Sequence, residues 1–204
     1  YFAGSVTIGN AVIVGADDGT SGADGASTIT SYNKLTGKVI SRLKITGDQR
    51  STIAYDETSG RIYFTTKCGY LYSAAINAAT GEITDLKAKK YDGKQSTSTP
   101  VIYKGRVYFA TGTGISSSGS GGEIVVADAA TLEPIYSVGL KGYPQCSLLI
   151  SNAYEQKTGY IYVYSTYNNN PGGISVLKVK PDAKSADEAQ LSELYGAAGF
   201  ENYC

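Results

Sequence analysis

The sequence of 204 residues contains no histidine, no tryptophan and no methionine, and it has only three cysteines. Histidine is the commonest general base and proton shuttle at neutral pH, and it is the commonest transition-metal ligand, so its absence argues against most hydrolases. The remaining candidates for catalysis are Asp, Glu, Lys, Tyr and Cys, and no two of them stand at a spacing that a known mechanism requires. We therefore expect no catalysis by this chain.

An excess of charge of one sign is also missing, because eighteen acidic residues balance eighteen basic residues. A chain without net positive charge has no electrostatic reason to bind DNA, RNA or an anionic membrane, so we expect no nucleic-acid partner. The sequence contains no apolar run of about 18 residues, which a membrane-spanning helix needs, and we expect no membrane insertion. The content of 42% apolar and 18% charged residues is typical of a globular protein.

The sequence does contain a short repeated motif, which we call the recurring phrase. It reads TSYNKLTGKVI at 30–40, AAINAATGEI at 74–83 and, in a degenerate form, IVVADAATLEPI at 124–135. A second phrase precedes each copy and occurs a fourth time, with equivalent apolar positions at Val12, Ile62, Val107 and Ile161. These positions are 50, 45 and 54 residues apart. Such a period is typical of the blades of a propeller.

Within each repeat the apolar residues alternate or form short runs such as VIVG, IYF and IYVY, which predicts strands. Glycines stand where hairpin turns need a positive φ, at Gly37, Gly60, Gly81, Gly105 and Gly159. Helical periodicity is nearly absent. The segment 185–195 has capping-box spacing at Ser185 and Glu188, which would suit a helix, but its place in the repeat favours a loop followed by a fourth strand, QLSELY.

The sequence therefore predicts an all-β fold, a β-propeller of four-stranded antiparallel blades. About four blades are expected, with approximate repeats at 1–48, 49–96, 97–143 and 144–200, and with the start of a further repeat at 201–204. Blades bury their faces against their neighbours, so a stack of four leaves two faces uncovered. We expect the missing blades of a larger parent protein, or self-association, to cover these faces.

The segment STPVIYKGRVYFAT at 98–111 and the phrase NAATGEI at 77–83 resemble the PQQ-like, or quinoprotein-type, β-propeller repeat. The resemblance covers nearly the whole chain. It implies four-stranded blades packed face to face around a central channel, usually six to eight of them. Some members of the family bind pyrroloquinoline quinone (PQQ) and calcium and oxidise alcohols or sugars. Many others bind no cofactor and serve as secreted or surface-attached scaffolds and interaction modules.

Two departures from the family pattern favour the branch without catalysis. The family repeat typically closes with a tryptophan, and this chain has none. The quinone-dependent members tend to carry two adjacent cysteines, whereas Cys68, Cys146 and Cys204 of this chain are far apart in the sequence. The resemblance then implies an extracellular or cell-surface bacterial protein that acts as a scaffold or adhesion-like binding module for protein or glycan. We expect no cofactor, and PQQ in particular is not expected. The alternative is a fragment of a PQQ-dependent alcohol or sugar dehydrogenase.

One candidate metal site lies in the stretch DDGTSGADG at 17–25. It concentrates hard oxygen ligands on a glycine-rich backbone, a composition that would suit Ca²⁺ bound by Asp17, Asp18 and Asp24. The stretch lacks the spacing and the closing glutamate of an EF-hand. A solvated hairpin loop rich in Asp and Gly is the competing interpretation.

A candidate ligand-binding loop consists of Tyr167, Asn168, Asn169 and Asn170. An aromatic ring in such a polar loop would stack on a sugar while the three amides bind its hydroxyl groups. Loops on a rigid scaffold are where binding usually resides. A plain turn is the alternative interpretation of the same residues.

Overall fold

The computed structural model describes residues 3–17, 25–92, 94–112, 121–142, 144–167 and 173–195. The first sheet contains β1 (Val6–Ile8), β2 (Ala11–Gly15), β3 (Ala26–Asn33) and β4 (Val39–Thr46). The second sheet contains β5 (Ala54–Asp56), β6 (Arg61–Thr65), β7 (Tyr70–Ile76) and β8 (Ile83–Lys90).

The third sheet contains β9 (Val101–Tyr103), β10 (Arg106–Gly112), β11 (Gly122–Asp128) and β12 (Pro134–Leu140). The fourth sheet contains β13 (Leu149–Ser151), β14 (Ile161–Tyr167), β15 (Gly173–Val179) and β16 (Gln190–Tyr195). We call these sheets blades 1 to 4. A four-residue helix, α1 (Glu155–Thr158), lies between β13 and β14, and a 3₁₀ helix, Ala186–Glu188, precedes β16.

Each blade is a four-stranded antiparallel sheet in which every strand pairs with the strand next to it in sequence. This order follows from short connections, since hairpins join neighbours directly and need no crossover. The predicted all-β fold and its four-stranded antiparallel blades are confirmed. Within the described residues, no helix has the length and apolar character that crossing a lipid bilayer would require.

The chain divides into two compact units, Tyr1–Pro100 with blades 1 and 2 and Val101–Cys204 with blades 3 and 4. The core of the first unit joins alternate residues of its two blades, among them Ile13, Ile29, Ile62, Phe64 and Tyr72. The core of the second unit does the same with Tyr108, Ile124, Val126, Ile161, Val163 and Leu177. Because the side chains of a strand alternate between its two faces, a period of two in the sequence produces a buried face on each blade.

The recurring phrase forms the turn between the third and fourth strands of blades 1, 2 and 3. In blade 1 the side-chain oxygen of Asn33 accepts hydrogen bonds from the N–H groups of Leu35 and Thr36, both at 3.0 Å. The equivalent oxygens of Asn77 and Asp128 accept the corresponding pair in their own turns. Asn and Asp recur here because their short side chains satisfy backbone donors that the turn leaves open.

The glycines that the sequence marks for hairpin turns all have the predicted positive φ, namely Gly37, Gly60, Gly81, Gly105 and Gly159. The segment QLSELY is the predicted strand, β16, and the alternative of a helix through 185–195 is wrong. The capping spacing nevertheless has a structural role, because Oε1 of Glu188 accepts hydrogen bonds from the N–H groups of Lys184 and Ser185 at 2.7 and 3.2 Å. These bonds close one 3₁₀ turn, after which the chain extends into the strand.

Candidate functional site

Each blade has two ends at which its connections lie. One end, which we call the turn edge, carries the connections between the first and second strands and between the third and fourth strands. The other end, the loop edge, carries the connection between the second and third strands. The described residues of the two sites predicted from the sequence lie at the loop edge, Asp17 in blade 1 and Tyr167 in blade 4.

Asp17 lies at the loop edge of blade 1, where its carboxylate is paired with an arginine. Its Oδ2 is 2.7 Å from Nε of Arg50, and Nη2 of the same arginine is 3.7 Å from Oδ2 of Asp48. A guanidinium group therefore already supplies the positive charge beside Asp17. Asp18 and Asp24 lie outside the described residues, and in the part of the chain that is described no three His, Cys, Asp or Glu side chains are grouped to hold a metal ion. The calcium site stays a prediction.

Tyr167 is the last residue of β14 and is only 5% exposed, so the structure places it in the sheet and not in a loop. Its ring packs against Gly142, where an added Cβ would be 2.1 Å from Cδ2 of the ring. Its hydroxyl accepts a hydrogen bond from Ser175 at 3.2 Å. Asn168, Asn169 and Asn170 lie outside the described residues, and sugar binding by this segment stays a prediction.

The second unit contains a cleft of about 650 Å³ at its turn edge, which the sequence analysis did not predict. On one side it is lined by Tyr103 and Lys104, at the hairpin between β9 and β10. On the other side it is lined by Asn152, Ala153, Glu155, Gln156 and Gly159, in the connection between β13 and β14. The cleft is therefore built from the first hairpins of two neighbouring blades.

Local sequence explains the shape of both sides of the cleft. Lys104 and Gly105 form a two-residue turn with φ of 47° and 74°, a pair of left-handed residues that suits the twist of a tight hairpin. The connection in blade 4 is longer and contains α1. Gly159 caps this helix with φ of 77° and donates a hydrogen bond from its N–H to the carbonyl of Glu155. The longer connection projects Glu155 and Gln156 towards the short hairpin of blade 3.

Glu155 holds the two sides together. One oxygen of its carboxylate accepts a hydrogen bond from the hydroxyl of Tyr103, and the other is paired with Nζ of Lys104. The amide nitrogen of Asn152 donates to the same tyrosine hydroxyl at 3.3 Å. The Lys104 ammonium also lies 5.6 Å from the centre of the Tyr103 ring, within the range of a cation–π contact.

The electrostatics of the cleft favour the charged forms of Glu155 and Lys104. The Lys104 ammonium, and after it the Tyr103 hydroxyl, hold the pKa of Glu155 below its ordinary value. The Glu155 carboxylate in turn raises the pKa of Lys104. Because each group stabilises the charged form of the other, the pair presents no net charge to a ligand.

A second hollow of about 420 Å³ adjoins the cleft and shares Lys104 and Glu155 with it. Its other lining residues are Arg106, Pro181 and Asp182. Arg106 is fixed there because its Nη1 donates to the carbonyl oxygen of Ala183. The two hollows together form a continuous polar surface along the turn edge of blades 3 and 4.

The only sequence signal for this cleft is the length of one connection. Blades 1 and 3 join their first two strands with two residues, whereas nine residues, 152–160, join β13 and β14. An insertion at one turn of a repeat marks a place where a binding surface can be added to the scaffold.

Comparisons with known proteins agree with the propeller fold. No protein-family model matches the sequence, and no curated protein matches it either. Among solved structures, the quinohemoprotein alcohol dehydrogenase of Comamonas testosteroni is similar with a TM-score of 0.61 and 17% identity, over 96% of this chain and 35% of that one. The quinohemoprotein alcohol dehydrogenase ADHIIG of Pseudomonas putida HK5 is similar with a TM-score of 0.58 and 14% identity, over 96% of this chain and 34% of that one.

A europium-containing methanol dehydrogenase is similar with a TM-score of 0.54 and 13% identity, over 91% of this chain and 40% of that one. The chain thus spans about a third to two fifths of the length of these structures. At such identities the similarity establishes the fold and not the activity. The chain has the PQQ-like, quinoprotein-type propeller fold that its repeats predict.

Proposed function

We propose that this chain is a binding module without catalytic activity, a propeller scaffold that presents ligand-binding surfaces at its edges. We further propose that it belongs to a secreted or cell-surface protein, in keeping with the branch of the family that its sequence resembles. Its partners on this proposal are proteins or carbohydrates.

The observation that supports this proposal is the cleft between the first hairpins of blades 3 and 4, whose polar lining includes a carboxylate and an ammonium that are paired with each other. A general acid or base works best when its pKa lies near the pH of the reaction, so catalytic carboxylates are usually raised and catalytic lysines lowered. Glu155 and Lys104 are shifted in the opposite directions, the carboxylate downwards and the ammonium upwards. Neither group is shifted towards neutral pH, so this ion pair is better suited to recognition than to proton transfer.

The second candidate function is that of a fragment of a PQQ-dependent dehydrogenase, and the three similar structures favour it. PQQ with Ca²⁺ would need a flat stacking platform and several oxygen ligands. The chain has no tryptophan, and Cys68 and Cys146, which form no disulfide with each other, stand at separate places in the sequence. Across the described ranges no three acidic or cysteine side chains converge. The described residues do not fit this cofactor, and we derive no redox step from it.

Two measurements on the same preparation test the proposal. The first is binding to a glycan array together with pull-down from a bacterial envelope extract. The second is addition of PQQ and Ca²⁺, followed by the absorbance of bound quinone and by dye-linked oxidation of alcohols and sugars. We expect a ligand in the first measurement and no turnover in the second. Quinone-dependent turnover would overturn the proposal.

A further inference from the structure

The lining of the turn-edge cleft indicates a small polar ligand. Binding pockets for small molecules usually have volumes of roughly 300–1,000 Å³, and this cleft, at about 650 Å³, lies within that range. Interfaces between proteins bury wider surfaces around an apolar centre. Among the described residues that line the cleft, no aliphatic side chain is larger than that of Ala153, and Tyr103 supplies the one ring.

The charges of the cleft indicate that the ligand is neutral. The Lys104 side chain is 58% exposed and the Glu155 side chain 15% exposed, and they are already paired with each other. An anionic ligand would compete with Glu155 for the ammonium, and a cationic ligand would compete with Lys104 for the carboxylate. A neutral ligand can bind while the pair stays intact.

The hydrogen-bonding groups that remain are suited to hydroxyl groups. In the described part of the chain, the side-chain amide of Gln156 makes no hydrogen bond. Asn152 donates from its amide nitrogen to Tyr103, and its amide oxygen remains able to accept a hydrogen bond from a ligand. The Lys104 ammonium also retains donors beyond the one that contacts Glu155. A hydroxyl both donates and accepts, so a ligand with several adjacent hydroxyls would pair with this mixture of donors and acceptors.

We propose that the turn-edge cleft of blades 3 and 4 binds a neutral saccharide. The amides of Asn152 and Gln156 hold adjacent hydroxyl groups, and the half-buried ring of Tyr103 contacts a C–H face of the sugar. This inference names the ligand class of the proposed binding function and rests on that function. It concerns a different place from the segment 167–170.

The test uses the full chain and begins with an array of neutral and anionic glycans. The best binders are then titrated by calorimetry, with maltotetraose, cellotetraose and N-acetylated chitotetraose as neutral reference probes. We expect Asn152→Ala and Gln156→Ala each to weaken binding about tenfold, the effect of one lost hydrogen bond. Lys157→Ala is the matched control, since it lies on the same helix as Gln156 and does not line the cleft. Unchanged thermal unfolding of all three variants shows that they fold.

The outcomes separate this inference from the proposed function. If neutral glycans bind the two cleft variants as well as they bind the unsubstituted chain, the site lies elsewhere. This result would overturn the inference but not the proposed binding function. Binding confined to anionic sugars or to a protein partner, with no neutral glycan bound across the array, would do the same. If no ligand binds and PQQ supports turnover, the proposed function falls as well.

Discussion

At the scale of the residue, Leu132 shows how burial can outweigh an unfavourable backbone. It stands where the equivalent turns have Gly37 and Gly81, and it shares their positive φ, at 65° against 69° and 81°. A left-handed conformation costs a leucine roughly 1–2 kcal/mol. The Leu132 side chain is completely buried, and burial of a leucine gains roughly 1.5–3 kcal/mol. The larger gain explains why the third copy of the phrase can depart from glycine.

This balance predicts an unusual order for two substitutions. Leu132→Ala keeps the strained backbone and leaves a cavity, so we expect a loss of roughly 2–5 kcal/mol in the free energy of unfolding. Leu132→Gly also leaves the cavity but releases the strain, and its loss should be smaller by about 1 kcal/mol. Urea unfolding of the two variants measures the difference. If glycine destabilises more than alanine, the backbone at this position is not strained.

Particular residues also show how far the sequence could predict this structure. The turn glycines and the recurring Asn or Asp were predictable, because a positive φ and an open backbone donor are local requirements. The sequence predicts Tyr167 in a polar loop because three asparagines follow it, yet the strand and its burial continue to this residue. The contact between Tyr103 and Glu155 spans 52 residues and depends on how two blades pack, which no local pattern records.

At the scale of the element, the turns of blades 1 and 2 approach each other too closely for side chains. A Cβ added to Gly9, in the turn between β1 and β2, would lie 1.9 Å from the carbonyl oxygen of Ala78 in the recurring turn of blade 2. A Cβ on Gly81 would lie 2.7 Å from Cβ of Ala11. The hydroxyl of Ser41 adds a direct link by accepting a hydrogen bond from the N–H of Ile83 at 2.9 Å. Glycine therefore sets the spacing of the two blades at this end.

A pair of matched substitutions tests this contact between turns. Gly9 and Gly60 both have positive φ, 55° and 66°, so alanine is strained at either position by roughly 1–2 kcal/mol. Gly60 has no atom within 4 Å of its added Cβ, whereas Gly9 meets a backbone carbonyl that cannot rotate away. We expect Gly9→Ala to cost roughly 1–3 kcal/mol more than Gly60→Ala, as overpacking does. Equal urea midpoints for the two variants would mean that blade 2 moves aside without cost.

At the scale of the whole molecule, the composition determines how the chain responds to pH. With no histidine, no side chain has its ordinary pKa between about 5 and 8, and only shifted cysteines and the α-amino group remain to titrate there. Below this window, three carboxylates in the part of the chain that the structure describes have pKa values lower than usual. Arg61 lowers the pKa of Asp85, and Lys104 lowers the pKa of Glu155. The hydrogen bond from the N–H of Thr131 lowers the pKa of Asp128. The acid side of the stability profile therefore depends on these groups.

We predict a free energy of unfolding that is nearly constant from about pH 5 to 8 and falls below about pH 4. A carboxylate with a lowered pKa in the folded state contributes stability that is complete above its unfolded pKa, and this contribution is lost as the pH falls through the folded pKa. Urea midpoints of the chain without a histidine tag measure the profile. Asp128→Asn is the control. Its amide oxygen can accept the same hydrogen bonds in the turn, as at Asn33 and Asn77, but the amide cannot titrate. The loss of unfolding free energy at acid pH should therefore be smaller in this variant. A clear slope between pH 6 and 7, or an acid loss that Asp128→Asn leaves unchanged, would contradict this account of the carboxylates.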